Sequence, residues 1–188
     1  QEPAGHLPDG VSNDWWEAVK EQILEEEYGL VPSEDDPHRG PGDSFTAFNR
    51  VHGFAVRFSE GSVRIEPAPE SEHSWMWEMK LAGVGREAAR PVPFIGMGVQ
   101  GNRIDYDRGG VKEWYRNSER GVLQVFEIPV RPEGESETLH LDLALSTALR
   151  PSISADGQVI DFYTNEITVA VLRYTQVKVT DAEGVELS

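Results

Sequence analysis

Leu139, Leu141, Leu143 and Leu145 alternate with Thr138, His140, Asp142 and Ala144. Successive side chains of a strand point to opposite faces, so this spacing gathers four leucines on one side and the polar set on the other; a helix would scatter them. The same period of two returns in Phe54/Val56/Phe58, Trp75/Trp77/Met79/Leu81 and Ile167/Val169/Val171. Such repetition restricts the chain to an all-β fold in which each of these strands buries one face.

On this basis strands are expected near 45–50, 53–59, 62–66, 74–82, 93–99, 102–107, 111–116, 121–130, 137–146, 158–163, 166–173 and 174–180. Starts spaced by about 8–12 residues, with no helical pattern between them, favour an antiparallel β-sandwich over a parallel sheet. Ser59-Glu60-Gly61 and Ala155-Asp156-Gly157 carry the chemistry of hairpin turns. One amphipathic helix precedes the strands, over 14–28, with Asp14 as its cap, Trp16, Val19 and Ile23 on one face and Tyr28-Gly29 at its stop. Glu25, Glu26 and Glu27 crowd the negative end of its dipole, at about 0.3–1 kcal/mol each when exposed. The helix is therefore expected to depend on docking its Trp16 face. Residues 1–12 read as a flexible tail and 32–44, rich in Pro and acids, as a surface loop, which leaves 13–188 as a single domain.

A chain of 188 residues buries roughly two-thirds of its unfolded surface on folding. Five Trp, five Tyr and seven Phe concentrate that burial in few positions. Lys and Arg number 17 against 33 Asp and Glu, a net charge of −16, so an anionic polymer meets mostly repulsion and nucleic acid is not an expected partner. The absence of cysteine removes disulfides, thiol nucleophiles and Cys zinc sites together. No run approaches the roughly 20 apolar residues of a membrane helix, so membrane insertion is not expected. The isolated domain is expected to be a monomer.

Asp105 and Asp107 share a strand face about 7 Å apart. That is near the carboxylate separation of inverting glycosidases, roughly 6.5–9.5 Å. In Asp105-Tyr106-Asp107-Arg108-Gly109 the acids also match part of a calcium loop, without its further acids and distal Glu. Calcium is therefore the one cofactor considered, with Asp105 and Asp107 as candidate ligands beside the ordinary outcome of a solvated face. Glu34, Asp35, Asp36 and Asp43 have the oxygen density of a cation site but read as an ordinary solvated loop. His6, His38, His52, His73 and His140 show no metal-ligand spacing, Gly96–Gly101 opens no helix, and no serine sits in a Gly-x-Ser-x-Gly elbow. Of the aromatics that could stack on a sugar, Trp75 and Trp77 share a core face with Met79 and Leu81. Trp114 alternates with Lys112 and Arg116, while Val111, Glu113 and Tyr115 take the other face. Tyr115 is expected to be buried and Trp114 partly exposed against the stems of Lys112 and Arg116. Trp114 and Tyr115 are the candidate ligand-binding pair.

Asn102-Arg103-Ile104-Asp105-Tyr106-Asp107-Arg108-Gly109, Glu113-Trp114-Tyr115-Arg116-Asn117 and Glu119-Arg120-Gly121-Val122-Leu123-Gln124-Val125-Phe126 resemble a bacterial module at the N-terminus of secreted or surface proteins with FG-GAP, integrin-α-like, repeats. Trp15-Trp16 through Glu27-Tyr28, Ala47-Phe48-Asn49-Arg50-Val51-His52, Gly61-Ser62-Val63-Arg64-Ile65, Pro151–Gly157 and Leu172–Ala182 extend the resemblance over roughly 12–184. It implies a β-rich domain, secreted or at the bacterial cell surface, with a protein or polysaccharide partner there, and it brings no catalytic residues. The expected function is a non-enzymatic structural or interaction module. A carbohydrate- or calcium-dependent binding module is the first alternative and a glycoside-active enzyme the second.

Overall fold

Short turns between alternating segments produce a succession of antiparallel hairpins. The computed structural model describes residues 12–33, 44–166 and 168–186. Helix α1 (Asn13–Tyr28) is followed by β1 (Val31–Pro32), β2 (Ser44–Asn49), β3 (Phe54–Ser59), β4 (Ser62–Pro67), β5 (Trp77–Gly85) and β6 (Arg90–Pro91). Next come β7 (Gly96–Gln100), β8 (Arg103–Asp107), β9 (Lys112–Ser118), β10 (Gly121–Glu127) and β11 (His140–Thr147). The series ends with β12 (Arg150–Ile153), β13 (Ile160–Tyr163) and β14 (Leu172–Tyr174). The tail before Ser12 and the acids Glu34, Asp35, Asp36 and Asp43 lie outside the described residues, as do His6 and His38.

Three antiparallel sheets result. The first runs β1-β2-β3-β4-β5-β11, with β6 paired to β5; the second runs β10-β9-β8-β7; the third is β12-β13-β14. The first two face each other as a sandwich. Phe54, Val56, Phe58, Val63, Ile65, Trp77 and Met79 of the first pack against Ile104, Tyr106 and Tyr115 of the second, and Leu149 and Phe162 bring the third sheet into the same core. Two ring pairs span the joints, Phe58 with Tyr115 at 5.3 Å between centroids and Trp77 edge-on to Phe162 at 5.9 Å, while Tyr106 with Tyr115 at 5.7 Å links neighbouring strands of the second sheet. Such pairs add about 0.5–1.5 kcal/mol each beyond the area they bury.

Local chemistry departs from expectation in four places. Ser12, not Asp14, caps α1, its hydroxyl accepting from Trp15 N at 3.3 Å, while Asp14 occupies the first turn. Trp16 and Val19 are half-buried, the side chain of Ile23 lies outside the described residues, and the deepest anchor of the helix is Tyr28. The leucine row is less buried than its alternation implies, because β11 lies at the edge of its sheet. A bulge also leaves Ala82 of β5 without a partner between the pairs Leu81↔Leu143 and Gly83↔Asp142. Leu141 and Leu143 pack against the core, whereas Leu139 and Leu145 are exposed. The bulge also brings Leu81 and Val84 into one cluster, which strict alternation would separate. Last, among the described residues, which omit Ile167, the strands expected over 166–180 shrink to Leu172–Tyr174, with Val169, Val177 and Val179 exposed, and Arg150–Ile153 forms a strand that its Pro151 and Ser152 concealed.

Strand β9 and the residue before it place their side chains as the alternation requires: Val111, Glu113, Tyr115 and Asn117 are buried, while Lys112 and Arg116 are exposed and Trp114 half-buried. We expect Tyr115→Ala to lower the unfolding free energy in urea by about 3–5 kcal/mol. Trp114→Ala is expected to cost several times less. The opposite ranking would mean that the strand register is wrong.

Candidate functional site

Two groups of polar side chains sit on opposite faces of the β7–β10 sheet. The inner group starts from a buried ion pair: Arg108 is 3% exposed and Glu113 0%. Isolated charges at such depth would be prohibitive, so the surrounding contacts decide whether they can exist. Arg108 donates Nε to Glu113 Oε2 at 2.8 Å and Nη2 to the carbonyl of Gly61 at 2.7 Å. The Tyr115 hydroxyl donates to Glu113 Oε1 and accepts from Gln124 Nε2 at 2.7 Å, and Tyr174 OH donates to Gln124 Oε1 at 3.0 Å. Tyr106 OH donates to the carbonyl of Ser62 at 2.8 Å. The chain of bonds therefore ties the β3–β4 hairpin of the first sheet and Tyr174 of the third to the inside of the second. Burial, reinforced by the Glu113 carboxylate, holds the Tyr115 and Tyr106 phenols well above their ordinary ionisation range.

A second knot of amides closes the other end of β9. Asn49 Nδ2 donates to Asn117 Oδ1 and to the carbonyl of Ser118, both at 2.8 Å. Asn117 Nδ2 reaches the carbonyls of Tyr28 and Phe48 at 3.1 and 3.0 Å, so this side chain ties the end of α1 to β2 and β9, beside the bond from Leu30 N to the Gly101 carbonyl at 3.0 Å. Asn49 and Asn117 thus bind the ends of β2 and β9 to one another.

The outer group contains the candidates. Strand pairing sets three rows across the sheet: Gly96, Asp107, Lys112 and Glu127; Gly98, Asp105, Trp114 and Val125; Gln100, Arg103, Arg116 and Leu123. Asp105 therefore stands beside Trp114, and Tyr115, pointing inward, leaves the candidate ligand-binding pair. The guanidinium of Arg103 lies 4.1 Å from the Trp114 ring centroid and that of Arg116 5.8 Å away, while the indole N–H donates to Glu127 Oε1 at 2.9 Å. Arg103 of the neighbouring strand thus joins Arg116 against the indole. Arg103 also donates to both oxygens of Asp105, at 3.1 and 2.9 Å. Asp107 Oδ1 accepts instead from Gly109 N at 2.8 Å. The two candidate metal ligands thus share a face, as expected, but face different partners, and among the described residues no three His, Asp or Glu side chains converge as a metal-ligand group.

Gln100, Asn102, Arg103, Asp105 and Arg116 line an open hollow of about 470 Å³. Nothing in the sequence marks Gln100, Asn102 and Arg103 as neighbours of this site, since which residues flank Trp114 depends on register. The Gly101-Asn102 turn was the one available signal for it. Another hollow, about 220 Å³, lies among Val84, Pro91, Val92, Pro93, Val111, Ile128 and neighbours, and is mainly apolar. Compared with protein-family models, curated proteins and solved structures, the chain finds no match in any of the three.

Two outcomes follow for the inner group. Glu113→Ala, which strands the Arg108 charge, is expected to cost about 3–5 kcal/mol in chemical denaturation. An Arg108→Met/Glu113→Leu double variant should cost less than that single change, because no unpaired charge remains. The raised phenols bind their protons more tightly folded than unfolded, where the ordinary value is about 10. Their contribution to stability is thus complete below about pH 10 and is lost as the pH climbs above it. Phenolate absorbance should accordingly show a late step that coincides with unfolding and diminishes in Tyr115→Phe; full ionisation before unfolding would refute the burial.

Proposed function

We propose that this domain is a non-enzymatic structural or interaction module of a bacterial extracellular or cell-surface protein. The compartment and the bacterial origin rest on the sequence resemblance. The non-enzymatic part rests on how the acids are engaged. Glu113, the most buried carboxylate, has both oxygens taken by groups that join sheets, Arg108 and Tyr115. A general acid or base must instead exchange its proton with a substrate within hydrogen-bond reach.

Asp105 and Asp107, the acids of the glycoside-active alternative, lie on an open face, one clasped by Arg103 and the other by a backbone N–H. The carbohydrate-binding alternative is favoured by a specific arrangement, the half-exposed Trp114 beside the hollow lined by Gln100, Asn102, Arg103, Asp105 and Arg116.

Incubation of the domain with a panel of neutral and acidic polysaccharides should release no new reducing ends. Turnover that disappears in Asp105→Asn or Asp107→Asn would replace this reading with the enzymatic one. Calcium addition should leave the melting temperature where it was. A bound ion at a hundred times its dissociation constant would add about 2.7 kcal/mol and be plain to see.

A further inference from the structure

Strand β7 carries two glycines on its outer face, Gly96 and Gly98, that the fold itself does not require. Neither has a positive φ, and a Cβ built on either would meet nothing within 4 Å. Glycine inside a strand weakens it, by loss of packing and by backbone entropy, and often marks a place where a ligand or another backbone comes close. Along the middle row the outer surface descends from the indole of Trp114 through the carboxylate of Asp105 to no side chain at all at Gly98. The result is a shelf with an aromatic wall, running into the hollow lined by Gln100, Asn102, Arg103, Asp105 and Arg116.

The chemistry of the rim identifies a class of ligand. Guanidinium, amide and carboxylate groups stand side by side there, so donors and acceptors are interleaved, which matches hydroxyl groups that each donate and accept. Arg103 is paired with Asp105; Arg116 adds a second positive charge to the rim, but with Lys112, Asp107 and Glu127 the outer face carries three cations against three carboxylates, and the chain as a whole carries −16, so neither the face nor the surrounding field favours an anion. The Arg103 guanidinium, 4.1 Å from the ring centroid, covers one face of Trp114 and the bond to Glu127 holds the indole in place, so the apolar surface on offer is the remainder of a half-buried ring. An uncharged pyranose, with apolar C–H faces and a ring of hydroxyls, has the complementary pattern, and an open shelf admits a chain of them.

We propose that the outer face of β7–β9 is a binding site for a neutral polysaccharide, with Gly96 and Gly98 as its floor, Trp114 as its wall and Gln100, Asn102, Arg103, Asp105 and Arg116 as its polar rim. This rests on the interaction-module reading above and gives that module a ligand.

Native affinity electrophoresis of the whole chain through gels containing hydroxyethylcellulose, xyloglucan, galactomannan or dextran, with polygalacturonate as the acidic counterpart, tests it. Retardation by at least one neutral polymer and not by polygalacturonate is expected. Trp114→Ala should weaken that retardation roughly tenfold or more. Gly98→Val is the decisive variant: it fills space that is open in the fold and favours the strand, so the melting temperature should hold or rise while binding falls by roughly the same factor. Retardation by none of the neutral polymers, preference for polygalacturonate, or retardation untouched by Gly98→Val would each overturn the site. None of these touches the module reading, which fails on polysaccharide turnover that is lost in Asp105→Asn or Asp107→Asn.

Discussion

The Arg108–Glu113 pair is the interaction on which the two main sheets depend for their mutual position. A sandwich held by apolar contact alone can slide, because apolar contact is non-directional. A guanidinium that must satisfy a carboxylate in its own sheet and the Gly61 carbonyl in the opposite one leaves little freedom of registry. Tyr106, anchored on the Ser62 carbonyl, fixes a second point of the same hairpin, and Tyr115 with Gln124 extends the constraint to Tyr174. The aromatic cluster of Phe58, Tyr106 and Tyr115 then fills the space that these polar fixtures define.

The amide knot at Asn117 does the same work at the other end of β9. The inner face of that one strand thus carries an acid, a phenol and an amide where a sandwich core ordinarily carries aliphatic side chains. Each has its partners supplied, so none is an orphan, in keeping with the rule that buried polar groups are hydrogen-bonded. Among the described residues the one buried side-chain polar atom without a hydrogen-bond partner is the indole nitrogen of Trp77, where the third sheet leans on the first.

Much of this was legible in the chain. Alternation located β3, β4, β8 and β9 within a residue or two, and it assigned Tyr115 and Glu113 to the inner face because Val111 lies on the same side. It did not reveal why a glutamate is tolerated there, since Arg108 reaches it across a turn and Gly61 comes from another sheet. Periodicity says which residues share a face and nothing about what that face meets. The leucine row shows the converse: a strong pattern at Leu139–Leu145 met a sheet edge and a bulge, and only Leu141 and Leu143 found a core to enter. The outer site was half legible, through Trp114 and Asp105. Arg103, Gln100 and the empty floor at Gly98 depend on cross-strand register, which follows from the turns at 101–102 and 108–111 and not from any property of the residues singly.

Gly61 sits in what is outwardly an ordinary hairpin turn, at φ +78°. A Cβ there would lie 2.7 Å from Nη1 of Arg108, so the turn is shaped as much by a charge inside the opposite sheet as by its own backbone. Hairpin tips are usually where a sequence is freest to drift. Here the tip and an interior arginine form one unit: a side chain in place of the glycine displaces the guanidinium that Glu113 depends on.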